Sequence, residues 1–75
     1  MKEAWILAQH GRALVITLRA HPDPTVDPED ITVDSTDNSE WDEVTTSGAR
    51  SLILTRMIPA YQAQGWRLLE HQPMQ

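Results

Sequence analysis

The segment AWILAQHGRALVITL, residues 4 to 18, constrains this chain more than any other. Two runs rich in apolar and β-branched residues flank a glycine, which reads as a β-hairpin. Gly11 reaches positive φ freely, and histidine tolerates that region better than a branched residue does. With His10-Gly11 as the loop, Leu7 pairs with Leu14 and Trp5 with Ile16. One face then carries Trp5, Leu7, Leu14, Ile16 and Leu18 and is the core face. The other carries Ala4, Ile6, Ala8, Ala13, Val15 and Thr17, small and uncharged where a solvated face is usually more polar. Cover by another element or a second copy is therefore expected, and a homodimer through the hairpin is the partner reading attached to this face. A register one residue off would exchange the two faces.

The hairpin must close a small domain. Seventy-five residues allow a single domain, 1–75, with little core to spare. Chains of this size often lean on a disulfide, a metal or a second copy. The first is excluded, because the chain has no cysteine. That absence also removes thiolate metal sites and cysteine nucleophiles, and it fits a reducing compartment. His10, Gly11 and Arg12 interrupt the apolar N-terminal run, so it reads poorly as a leader. No apolar run approaches the ~20 residues of a membrane span. A soluble, cytoplasmic chain without a membrane partner is the expectation.

Three prolines in HPDPTVDP end the hairpin. Residues 21–46 then read as an acidic loop or insert, in which DITVD can form a short edge strand and SEWDE one helical turn. TTSGARSLILTRMIPAYQAQG reads as a helix, capped by Thr46 or Ser47 and ended by Gly65 as its left-handed terminal residue. Its apolar stripe is Ala49, Leu52, Ile53, Met57, Ala60, Tyr61 and Gln64. Pro59 costs roughly 3 kcal/mol in a plain helix interior and predicts a kink. The alternative makes RSLILTRM a strand and starts a short helix at Pro59. WRLLEHQ alternates as a last strand, with Trp66, Leu68 and Glu70 on one face and Arg67, Leu69 and His71 on the other. The fold class is therefore α+β of type ββαβ: an antiparallel hairpin, one helix packed on the sheet, and a C-terminal strand.

MIPAYQAQGWRLLEH, Met57 to His71, resembles the closing segment of small uncharacterised bacterial domains. In those, a strand or hairpin precedes a helix that ends in Gly-Trp before an apolar strand. The resemblance implies a fold and brings no activity with it. The long acidic insert and Pro59 depart from that pattern.

Charge supplies the functional reading. Net charge is −5, yet nine of the eleven acids lie between Asp23 and Glu43, and all six bases lie outside that stretch. The remainder, with six bases against two acids, is at +4. Phosphate contacts need clustered Lys and Arg, so direct nucleic-acid binding is disfavoured and a basic protein partner suits the acids better. The partner-facing candidates are Asp27, Glu29, Asp30, Asp34, Asp37, Glu40, Trp41, Asp42 and Glu43. Trp41 is either an anchor into the core or an exposed aromatic in the binding face. The bland alternative for the whole stretch is a solvated loop that keeps a small domain soluble. A nucleic-acid mimic that blocks a DNA- or RNA-binding protein is the second functional reading. Divalent-metal binding is the third.

No other motif carries chemistry. DSTDNSEWDE has serine where a calcium loop begun at Asp34 needs glycine. His10, His21 and His71 lack zinc-ligand spacing, and the serines lack a nearby base. No cofactor and no catalytic residue is expected, and the chain reads as a non-enzymatic interaction domain.

Overall fold

The computed structural model describes residues 2–20, 23, 25, 28–35 and 38–73, and over 38–44 the backbone path alone. Five strands and one helical segment follow the order β1 (Lys2–Gln9), β2 (Arg12–Ala20), β3 (Glu29–Ser35), β4 (Asn38–Thr46), α1 (Ala49–Leu52), a π-helical turn (Ile53–Met57), α2 (Ile58–Ala63) and β5 (Arg67–Gln72). The strands form one antiparallel sheet in the order β4-β3-β2-β1-β5. The fold is α+β, and the N-terminal hairpin, helix and closing strand stand as expected. What the ββαβ reading lacked is a second hairpin: the acidic segment forms β3 and β4 in place of a loop. DITVD lies within β3, whereas SEWDE lies in strand β4 and makes no helical turn.

The first hairpin has the expected register, with Leu7 opposite Leu14 and Trp5 opposite Ile16. His10 at φ 47 and Gly11 at φ 76 make the turn, two successive left-handed residues that match the twist of the strands. The expected core face is buried: Trp5, Leu7, Ile16 and Leu18 are at most 2 % exposed, and Leu14 joins them. Ile31 extends this face onto β3, and Ala49, Ile53, Ile58 and Trp66 cover it from the helical side. The chain leaves β4 at one edge, crosses this face as a helix and returns at β5 on the other edge.

The helix starts differently from expectation. Gly48, left-handed at φ 68, is its N-cap residue, and no side chain caps it; Thr46 and Ser47 lie before it. Residues 50–57 are helical, not a strand. Pro59 has no N–H for Thr55 and would crowd that carbonyl in a regular α-turn. The chain responds with π geometry over Ile53–Met57, the turn just before it. That wider turn moves the stripe by about one residue. Ile58 is therefore buried, while Ala60 and Gln64, which the regular stripe places inward, are exposed.

The helix ends on a Schellman turn. The Gly65 N–H bonds to the Gln62 carbonyl at 3.0 Å, and the Trp66 N–H to the Tyr61 carbonyl at 3.1 Å. The Tyr61 and Trp66 rings meet edge to face across it, 6.4 Å apart. Gly65 sits at φ 98, and a Cβ there would lie 2.5 Å from Gln9 Nε2. That amide donates to the Gln64 carbonyl at 2.7 Å and is not free to retreat. Gly65→Ala should therefore lower stability by about 1–3 kcal/mol, from left-handed strain and the displaced amide together. A thermal melt unchanged within error would refute this account of the turn.

A bulge corrects the faces of β5. Leu7 pairs with Leu68 but Ile6 pairs with Glu70, so Leu69 is an extra residue. Beyond it the alternation flips: Leu68 and His71 lie opposite the core-facing Leu7 and Trp5, and Glu70 lies opposite Ile6 on the other face.

Candidate functional site

β4 is one edge of the sheet, and among the described residues nothing pairs with its outer side. Glu40, Asp42 and Glu43 belong to this strand, with Asp42 opposite Val33 and Glu43 opposite Thr32, and Trp41 follows Glu40 in the same strand. Glu29, Asp30 and Asp34 belong to its neighbour β3. Asp27 and Asp37 lie outside the described residues. The bases are all elsewhere: Lys2 in β1, Arg12 and Arg19 in β2, Arg50 and Arg56 in the helical segment, and Arg67 in β5 at the far edge. The charge asymmetry of the sequence thus becomes an asymmetry across the sheet.

The acids of β3 are not equivalent. Asp34 stands opposite Val15, half-buried, on the face turned away from the helix. Glu29 pairs across with Ala20 and Thr46 and is also half-buried. Asp30 is buried at 8 % exposure. Its Oδ1 accepts a hydrogen bond from Thr45 Oγ1 at 2.7 Å, and its Oδ2 lies 3.8 Å from Arg19 Nε. These three residues form one cross-strand row, Arg19–Asp30–Thr45. Asp30 ties β2, β3 and β4 together, so its carboxylate is already engaged inside the sheet. Asp23 also works locally, accepting from the Thr25 N–H and hydroxyl at 3.0 and 2.8 Å.

A second cluster has no precedent in the sequence pattern. Glu3 is 3 % exposed on the core face, opposite Leu18. Arg50 Nε from α1 donates to its Oε1 at 3.1 Å, and His71 Nε2 from β5 lies 2.5 Å from its Oε2. The His71 ring stacks on Trp5 with centroids 5.2 Å apart and planes 14° from parallel. Burial alone would raise the Glu3 pKa. The hydrogen bonds and positive charges of His71 and Arg50 outweigh it and hold the carboxyl below its ordinary value of 4.5. No hydroxyl is bonded to His71 among the described residues, so the arrangement is a clamp joining β1, α1 and β5. Residues 3, 50 and 71 are too far apart in the chain for any local signal to have linked them. The bulge at Leu69 is what turns His71 inward.

At the other end of the first hairpin, Arg12 lies over the Trp66 ring, 5.1 Å from its centroid, and donates to Gln9 Oε1 at 2.9 Å. Among the described residues no three His, Asp or Glu side chains converge to hold a metal ion, and no helix is long and apolar enough to cross a membrane. The chain matches no protein-family model, no curated protein and no solved structure.

Proposed function

We propose that this chain is a non-enzymatic protein-interaction domain that binds a basic protein partner through its acidic β3–β4 hairpin. One observation carries the reading: the strand containing Glu40, Asp42 and Glu43 is an edge of the sheet with nothing paired on its outer side among the described residues, and every lysine and arginine belongs to another element. An edge strand offers its outward N–H and C=O groups to a partner strand. Acids along it discourage pairing between two copies and favour a basic partner. Asp34 adds a carboxylate beside this edge, while Asp30 supports the hairpin from within. The face bearing Ile6, Val15 and Thr17 lies opposite the helix and is the surface a homodimer would use.

Charge-driven recognition makes affinity sensitive to salt, because exposed charges are screened over about 10 Å at 0.1 M. The affinity for a captured basic partner should fall at least about tenfold between roughly 50 and 200 mM salt, mostly through slower association. Affinity that is flat across that range would rule out the acidic edge as the recognition surface. Adding duplex DNA to the complex separates the mimic reading. Displacement would mean that the domain occupies a phosphate-binding groove.

A further inference from the structure

We infer that the corner between the β1–β2 turn and the start of β5 is a binding site for a small oxyanion, a phosphate or a carboxylate. A hollow of about 270 Å³ lies there, lined by Ala8, Gln9, His10, Gly11, Gly65 and Arg67. It is smaller than most pockets for drug-sized ligands, which run from about 300 to 1,000 Å³. No acid lines it. His10 and Arg67 both do, and neither side chain makes a hydrogen bond or ion pair among the described residues.

Two arginine side chains, Arg56 and Arg67, have no hydrogen bond or ion pair among the described residues, and of these only Arg67 lines the hollow. Arg50 is committed to Glu3, Arg19 to Asp30, and Arg12 to Gln9 and the Trp66 ring. Arg67 presents a planar fork of donors that suits an oxyanion, at the sheet edge farthest from the acidic strand β4.

The walls are fixed before any ligand arrives. The Gln9 amide is held at both ends, its oxygen by Arg12 and its nitrogen on the Gln64 carbonyl. That same amide fills the space a Cβ on Gly65 would take, so it packs directly against the glycine. His10 occupies a left-handed position, φ 47, where asparagine or glycine would make the better turn. His10 itself borders the hollow.

The test is an NMR titration of the isotope-labelled full chain with inorganic phosphate and, separately, with acetate. Chloride at matched ionic strength is the reference. Saturable shifts at the amides of Gly11, Gly65 and Arg67 are expected, with millimolar affinity. Arg67→Gln should weaken binding at least about tenfold, the order of loss for a charged hydrogen-bonding partner. His10→Asn preserves the turn and should weaken it less. Arg56→Gln, on the helical segment, should leave it unchanged. Saturation by phosphate alone identifies a phosphate site, and saturation by both anions a general oxyanion site. The proposal is overturned if neither anion saturates, if Arg67→Gln binds like wild type, or if Arg56→Gln loses as much as Arg67→Gln.

Discussion

Trp5→Ala is expected to lower stability by about 3–5 kcal/mol, the range for emptying a large aromatic site in a packed core. Trp5 is 2 % exposed in β1, an interior strand, and its ring stacks on His71. The substitution therefore removes core volume and also one face of the clamp around Glu3. A domain of this size has only about 4–11 kcal/mol in total, at roughly 0.05–0.15 kcal/mol per residue. The melting temperature should fall by at least about 12 °C, at roughly 4 °C or more per kcal/mol. Leu69→Ala is the counterpart. Leu69 is the extra residue of the bulge and 60 % exposed, so its truncation should stay within about 0.5 kcal/mol. Equal losses for the two variants would show that the core is not centred on β1.

The second large effect concerns acid. Glu3 is held below its ordinary pKa in the folded chain, so it binds a proton more readily when unfolded. Its contribution is complete above the ordinary value of 4.5 and is lost as pH falls through the lower folded value. Glu3→Gln should cost about 1–3 kcal/mol near neutral pH, because a charged acceptor for Arg50 and His71 is gone. Arg50 and His71 are partly exposed, so water screens part of their attraction and keeps the figure moderate. As pH falls below 4.5 and through the lower folded value, the two proteins should converge, since wild-type Glu3 is then losing its charge as well. Melting curves of both from pH 7 down to pH 3 check this. A gap that stays constant over the whole range would mean that the charge of Glu3 contributes nothing.

These two residues mark the limit of what the sequence discloses. Trp5 was legible as core because a two-residue His-Gly turn fixes the register, and the register assigns every side chain of the hairpin to a face. Gly65-Trp66 was legible for the same kind of reason: a left-handed cap and its apolar contact are local. The β3–β4 hairpin was not. Ile31 and Val33 alternate as a strand should, but the surrounding acids and prolines obscure the pattern. What stabilises this hairpin is partly non-local, including Asp30 bonded across to Thr45 and close to Arg19. The phase of the helix was hidden because Pro59 announces a disturbance without saying how the chain absorbs it. A kink and a π-turn are both answers, and only the latter moves Ile58 inward. His71 was assigned to the wrong side of β5 because a single bulged residue reverses a strand's faces without a glycine to mark it. Glu3 carries no signal until β5 and α1 are both in place.

The acids were legible as a feature but not as a structure. In sequence they suggest a loop, and in space Glu29, Asp30, Asp34, Glu40, Asp42 and Glu43 belong to a strand pair at the sheet edge, which gives the proposed recognition surface a defined backbone. The clearest measurement compares capture by wild type with capture by the Asp34→Asn/Asp37→Asn/Glu40→Gln variant, from lysate at low and moderate salt. Asp30 is left intact in that variant, so the hairpin keeps its internal support, and a melt confirms that both proteins are folded. The account predicts that wild type takes up a basic protein at low salt, releases it at moderate salt, and that the variant takes up little of it. Equal capture by the two folded proteins would contradict it and leave the acids as a solvent-facing charge.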